Sequence, residues 1–316
     1  MYLKKYVYLI AVLAIAVIFP SCKGDQEVVN PPSGPEMTQL RGAYLGQTAP
    51  GMVPTKFIPN DLFRPSETTW WYHGSPVFSP DGNEMYFVKY SNVNGAQIWF
   101  TKSINGQWTA PQRASFSTSR FDNNPLFSTS NDTLYFSSQR GGSAIFRVTR
   151  TAMDWTAPTA INIPYPNGYG TGNEFFITRN KTIYFALEAL TAGGKRDIYK
   201  SRLVNGQYTQ PESLGLPINT IEAEDIGYVD PDERFILYCG VKTSGFGYHD
   251  LYISSKNTNG SWNTPKHFET PINSANEDIA PYITPDGKYF FFNTWRTGDT
   301  GYTPYWADVK ILDSYK

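Results

Sequence analysis

The 316-residue chain is poor in several of the residues that build chemical sites: it has 3 His, 2 Cys and 5 Met, with only 17% charged residues and a formal net charge of -1. That balance excludes the basic surface that neutralises phosphates, so no nucleic-acid partner is expected. Two cysteines cannot form a disulfide framework or a Cys-x-x-Cys metal knuckle, and no His-x-x-x-His spacing occurs. No cofactor is therefore expected, with calcium on carboxylates as the remaining option. Gly-x-Ser-x-Gly is missing, and the Gly-Gly pairs at 141–142 and 193–194 precede no helical pattern, which argues against a hydrolase elbow and a phosphate loop. What is abundant is aromatic: 22 Tyr, 20 Phe and 8 Trp, accompanied by 26 Gly and 23 Pro. Strand formers punctuated by turn formers predict an all-β protein.

Residues 1–21 read as a secretion signal, with Lys4 and Lys5 ahead of the apolar run Val7–Phe19. That run is shorter than the roughly 20 residues a spanning helix needs, and no later segment is a candidate. Phe19-Pro20-Ser21-Cys22 resembles the lipobox of bacterial lipoproteins, with Phe19 where Leu is usual. The resemblance implies cleavage before Cys22 and lipidation of its thiol, hence an extracytoplasmic protein tethered to the outer membrane. The flank Cys22-Lys23-Gly24-Asp25-Gln26-Glu27 is similar to the acidic start of surface-exported lipoproteins of the Bacteroidetes group, which points to the cell surface. Residues 22–50, rich in Pro, Gly and polar groups, are expected to form the tether. Cys239, inside Phe235-Ile236-Leu237-Tyr238-Cys239, is expected as a small buried hydrophobe.

Five internal repeats organise the rest. Aromatic or apolar pairs recur at Tyr86-Phe87, Tyr135-Phe136, Tyr184-Phe185, Leu237-Tyr238 and Phe291-Phe292, spaced by 49, 49, 53 and 54 residues. Each follows another apolar strand across a turn, written Ser79-Pro80-Asp81-Gly82 in the first copy and Thr284-Pro285-Asp286-Gly287 in the last. A third strand carries Ile98-Trp99-Phe100, Ala144-Ile145-Phe146, Asp197-Ile198-Tyr199, Asp250-Leu251-Tyr252 and Tyr305-Trp306-Ala307. Asn105-Gly106, Asn205-Gly206 and Asn259-Gly260 then predict hairpins into a fourth strand bearing Trp108, Trp155, Tyr208 or Trp262 three residues before a proline. Four antiparallel strands per unit of about 50 residues is the pattern of a propeller blade.

The fifth unit lacks its fourth strand. Pro54–Asn60 can be laid on Pro265–Asn273, so residues around 52–58 are expected to supply it and close the ring. The prediction is a five-bladed β-propeller over residues 51–316, acting as a monomer. These units resemble the WD40-like, TolB-type repeat over residues 73–316, whose pattern is an apolar strand, Ser-Pro-Asp-Gly and a Tyr-Phe strand. The match is close in the first and fifth copies.

Antiparallel alternation gathers the starts of the inner strands at one channel mouth: His73, Asp122, Asn173-Glu174, Glu224-Asp225 and Glu277-Asp278. Loops on the same face add Arg140, Glu188, Lys242, Trp295 and Arg296. His73, Asp122, Glu174, Asp225, Asp278, Arg140, Glu188 and Arg296 are the expected ligand-binding set. Asp122, Glu174, Asp225 and Asp278 are the acid and base candidates if the protein is a glycoside hydrolase. Acids that recur by repeat, such as Asp122, Glu224 and Glu277, favour a structural role, which leaves His73, Glu174, Glu188 and Asp225 as the more informative positions. His249 and His267 are expected on outer strands. The function expected is binding or scaffolding for a glycan or a cell-envelope protein, with the hydrolase as the alternative.

Overall fold

The computed structural model describes residues 40–57, 71–72, 74–142, 144–190, 194–241, 245–299 and 301–316. All belong to one compact unit, Met37–Lys316. Cys22, the signal segment, His73 and Lys242 lie outside the described residues.

Five antiparallel blades form a β-propeller. Blade 1 runs from its split inner strand, Trp71–Tyr72 and Val77–Phe78, through Glu84–Ser91 and Gly95–Ile104 to Gln112–Arg113. Blade 2 comprises Asn123–Phe127, Thr133–Ser138, Ala144–Thr149 and Thr159–Ala160. Blade 3 comprises Tyr169–Ile177, Ile183–Ala189, Arg196–Ser201 and Glu212–Ser213, and blade 4 Glu224–Val229, Phe235–Gly240, Asp250–Ser255 and Lys266–His267. Blade 5 takes Asp278–Ile283, Tyr289–Thr294 and Thr303–Asp308 from the C-terminal end. Its outer strand is Thr55–Lys56, with Thr55 opposite Trp306 and Lys56 opposite Tyr305.

Closure by the N-terminal strand thus occurs where the repeat alignment puts it. Flanking bonds extend the seam: Phe57 N–H donates to Pro304 O at 2.9 Å, and Asp308 N–H donates to Gly51 O at 2.9 Å. Phe57 is fully buried, its ring 5.0 Å from that of Trp306 and 5.1 Å from that of Phe291. Within the stretch expected as a tether, Leu45 is buried and Tyr44 packs edge-on to Phe78 and Tyr289 at 4.9 and 4.8 Å. Residues 40–50 therefore pack on blades 1 and 5.

The outer strands correct one expectation. Trp108 pairs back onto Ser103 as the end of a hairpin, and Trp155 and Trp262 make single bridges to Arg150 and Lys256. The outer strands begin after the prolines, because a proline has no N–H to give the ladder and the chain must step sideways before pairing again. Asn105 and Asn205 adopt the left-handed conformation with their glycines, while at Asn259-Gly260 only the glycine does.

Second strands are sandwiched between neighbouring blades, so they lose the usual alternation: every residue of Phe235–Gly240 is buried. Aromatic rings fill the seams between blades. Tyr86 stacks on Phe100 at 5.2 Å within blade 1 and meets Phe127 of blade 2 edge-on at 5.3 Å, while Phe176 of blade 3 meets Tyr228 of blade 4 at 4.8 Å. Each such ring contributes about 2 kcal/mol through area removed from water.

The inner strands share a further feature that positions the site. Those of blades 2 to 5 carry extra residues against their partners: between Asn123 and Leu126, Thr171 and Phe175, Ile226 and Tyr228, and Ile279 and Tyr282. Such bulges unpair a residue and re-aim side chains. Asn124 and Ala280 take positive φ there, and Gly227 is required because a Cβ would lie 2.3 Å from Pro281 Cδ.

Candidate functional site

The bulges ring one mouth of the channel, where residues from all five blades enclose a cavity of about 160 Å³. Hydrogen bonds at the bulges tie neighbouring blades together: Ser75 Oγ donates to Ala280 O at 2.6 Å and Asn124 Nδ2 to Phe175 O at 2.9 Å. Glu174, Arg196, Asp225, Cys239, His249 and Glu277 line the same cavity. Two polar pairs bridge blades there. Arg196 Nη1 lies 2.6 Å from Asp225 Oδ2, joining blades 3 and 4, and His249 Nδ1 lies 2.8 Å from Glu277 Oε1, joining blades 4 and 5.

Asp225 is 6% exposed, and its Oδ1 is buried with no hydrogen-bond partner among the described residues. Burial pushes its pKa up to about 7, helped by the charge of Glu174 and opposed by Arg196 and His249. Arg196 is held above its ordinary value, the carboxylates of Asp225 and Glu174 outweighing the opposite push of burial. Cys239, across the strand pair from Asp225, is buried and its thiol is pushed well up by that burial. The expectation of a small buried hydrophobe fits this environment.

Most of the other expected ligand-binding residues are engaged in the scaffold. Asp122 Oδ2 accepts from Thr118 N at 2.5 Å, Thr118 Oγ1 at 3.1 Å and Arg140 Nη2 at 2.6 Å, while Arg140 also donates to Phe116 O and Ser138 Oγ. Asp278 Oδ2 accepts from Ser274 N and Oγ at 2.7 and 2.9 Å, with Arg296 Nη2 3.6 Å from its other oxygen. Arg296 in turn donates to the carbonyls of Pro271 and Ile272. Glu224 is clamped in the same way by the N–H and hydroxyl of Thr220. A Ser or Thr four residues before the acid therefore marks the recurring structural position. The recurring acid in blade 5 is Asp278, not Glu277, which is free of that clamp and turns to His249. Asp225 has Ile221 four residues before it and no such clamp. Glu188 is exposed on the second strand of blade 3, and Trp295 is exposed as well.

Sequence reasoning missed Arg196 and His249, and it gave Glu277, which it placed at the mouth, a structural role. His249 is not on an outer strand: it precedes the third strand of blade 4 and faces the cavity. A signal for it exists in the repeat. Phe185, Tyr238 and Phe292 pair with Tyr199, Tyr252 and Tyr305, and three residues before these tyrosines stand Arg196, His249 and Tyr302. All three line the cavity, so one repeat position supplies three different chemistries.

The segment carrying His249 is held from both sides. Asp250 accepts from the N–H groups of Phe246 and Gly247 at 2.5 and 3.1 Å, and His267 Nε2 lies 2.9 Å from its Oδ2. A Cβ on Gly247 would overlap Asn276 O at 1.7 Å, so only glycine lets this segment lie against the one that ends in Glu277.

Among the described residues, no group of three His, Cys, Asp or Glu side chains is placed to hold a metal ion. At the other end of the inner strands a larger cavity of about 570 Å³ is lined by Phe127, Phe176, Tyr228, Phe235 and Tyr282, with Arg179 and Arg234 paired to Asp232 and Asp230 beside it.

No family model matches the chain, and no curated protein does. Solved structures do. A putative TolB from Agrobacterium tumefaciens is 16% identical at a TM-score of 0.47, over 74% of this chain and 76% of that one. An α-L-arabinofuranosidase from Podospora anserina is 12% identical at a TM-score of 0.48, over 81% and 93%. An α-L-arabinofuranosidase from Lactobacillus brevis is 15% identical at a TM-score of 0.43, over 76% and 92%.

Proposed function

We propose that this chain is a lipid-anchored, extracytoplasmic propeller of the outer membrane that binds a glycan or a cell-envelope protein partner through the mouth lined by Glu174, Arg196, Asp225, His249 and Glu277. The observation that carries the reading is the convergence of these charged side chains from three blades on one cavity, around a buried Asp225 oxygen that has no hydrogen-bond partner among the described residues. A buried polar atom without a partner costs on the order of 1–3 kcal/mol, which a ligand donor would relieve. Cys22 supplies the anchor, and two or more acyl chains make a stable one.

The experiment is a glycan-array screen followed by calorimetry on the full chain in detergent, with Asp225→Asn and Glu277→Gln as paired variants. A sugar whose affinity falls tenfold or more in both variants supports the mouth as the site. A sugar bound equally by all three proteins overturns it. For the anchor, labelled fatty acid enters the wild type and not Cys22→Ser; equal incorporation overturns that part.

A second reading, a glycoside hydrolase, is favoured by one observation: burial and Glu174 hold Asp225 at about 7, where it can donate a proton near neutral pH. Turnover of aryl glycosides by the wild type, lost in Asp225→Asn, would support it. Binding without turnover would leave the protein a binding module.

A further inference from the structure

The larger cavity, at the end of the inner strands opposite the mouth, has walls that follow the repeat. The N–H groups of Ser79, Ser128, Thr178, Asp230 and Thr284 donate to the carbonyls of Glu84, Thr133, Thr182, Phe235 and Tyr289, which puts the five inner strands in register. Two residues before them stand Val77, Leu126, Phe176, Tyr228 and Tyr282. This position is aliphatic in blades 1 and 2, a phenyl ring in blade 3 and a phenol in blades 4 and 5. Its last four members line the cavity of about 570 Å³, with Phe127 and Phe235 beside them. All six side chains are nearly buried, and what exposure they keep is toward the cavity. An apolar body that displaces water from such a wall is favoured by the area it covers.

Two phenols belong to this wall, and they differ in what they bond. The hydroxyl of Tyr282 lies 3.4 Å from Phe78 N and 3.5 Å from Phe78 O, and so reaches across to blade 1. Tyr228 is 7% exposed, and its hydroxyl makes no hydrogen bond among the described residues. The charges that act on it are those of Asp230, Arg234 and Asp232, all in the wall of the cavity, so its oxygen lies on the cavity side. Burial and Asp230 push its pKa up, which keeps the proton on the oxygen and makes it a donor. Each cation of the described wall already has an acid beside it: Arg234 lies 2.6 Å from Asp230, Arg179 pairs with Asp232, and Lys316 lies 3.4 Å from Asp313. The wall therefore suits an uncharged ligand that brings one acceptor.

We propose that this cavity is a second binding site, for an uncharged aromatic molecule packed among Phe127, Phe176, Phe235 and Tyr282, with a carbonyl or ether oxygen that accepts from Tyr228. A cavity of about 150 Å³ holds one benzene ring, so this one takes a body of roughly two or three rings. The wall rings already meet edge to face, Phe176 with Tyr228 at 4.8 Å and Tyr228 with Tyr282 at 6.4 Å, and an aromatic guest extends that arrangement. A buried space of this size, with aromatic walls and one placed polar group, has the make-up of a small-molecule site. It stands apart from the mouth and does not depend on the glycan reading.

The test uses 2-acetylnaphthalene and 2-ethylnaphthalene, which share a skeleton and differ by a carbonyl in place of a methylene. Equilibrium dialysis of the full chain, with the same detergent on both sides of the membrane, reads their binding. Both are expected to bind the wild type. Thr129→Trp, which sets an indole at the exposed edge of the wall, is expected to weaken both by about tenfold or more. Tyr228→Phe keeps the ring and removes the hydroxyl, and is expected to weaken the ketone about tenfold and the hydrocarbon by less than about twofold. Should that variant misfold, infrared spectroscopy of the wild type decides, since the carbonyl stretch of the bound ketone falls when it accepts a hydrogen bond. No binding of either probe, or binding unchanged in Thr129→Trp, would overturn the site. A ketone indifferent to Tyr228→Phe, or a carbonyl stretch that does not move, would overturn the part given to Tyr228. Capture of an envelope protein at this face, lost in Thr129→Trp while neither probe binds, would make it a protein surface and overturn the proposal.

Discussion

Two kinds of acid stand at the mouth of this propeller, one residue apart in sequence and opposite in role. Asp122, Glu224 and Asp278 are each clamped by the N–H and hydroxyl of a Ser or Thr four residues earlier, and two of them also meet an arginine of their own blade. Asp225 and Glu277, neighbours of Glu224 and Asp278, turn instead to residues of adjacent blades and line the cavity. Repetition of an acid marks a blade's internal architecture. Chemistry specific to the site sits at positions where the repeat is broken.

The comparison can be broken most severely at a clamped acid. Asp122→Ala removes the partner of Arg140 from a buried position, and a loss of about 3 kcal/mol in denaturant unfolding is expected; an unchanged midpoint would mean that the clamp holds nothing. Gly247→Ala tests the cavity side through the backbone. Overpacking against Asn276 is expected to cost about 2 kcal/mol and to separate His249 from Glu277, so ligand affinity falls with stability.

Asp225 sharpens the contrast through pH. Its folded pKa, about 7, lies above that of an unfolded aspartate, so the folded state binds more protons between about pH 4 and pH 7. Stability therefore declines as pH rises through that window, by an amount on the order of 2 kcal/mol, and stops declining above it. In Asp225→Asn this part of the slope disappears, which thermal melts from pH 4 to pH 8 can read. Glu233 has the opposite sign: against the upward push of burial, hydrogen bonds from Lys256 and Asn180 hold it at about 2, so its contribution is complete above about pH 4.5 and lost on acidification toward 2. Thr118→Val deletes one hydroxyl donor to Asp122, for an expected loss of about 1 kcal/mol. Arg202→Ala, which opens an exposed pair with Glu212, is expected to change stability by less than about 0.5 kcal/mol.

Much of the fold was legible because repetition multiplies weak local signals. The Pro-Asp-Gly turns, the Tyr-Phe strands and the Pro54–Asn60 match each have a local cause, and together they specify blade number and closure. The outer strands were displaced past the prolines because pairing there depends on where the chain can offer an N–H. Within the site, Glu174 and Asp225 were legible as acids that break the pattern, whereas Arg196 and His249 were not. Their place in the repeat is visible only once Tyr199 and Tyr252 are put in register with the second strands.

By itself, the sequence determined an all-β chain of five repeated units whose missing strand comes from the other end, since hydrophobic period and turn chemistry are local properties that recur. Only the tertiary structure decided which acids face one another. That choice depends on inner-strand bulges that re-aim side chains, on Gly247 admitting one loop against another, and on the meeting of blades 3, 4 and 5 across the channel, none of which is encoded within a single repeat.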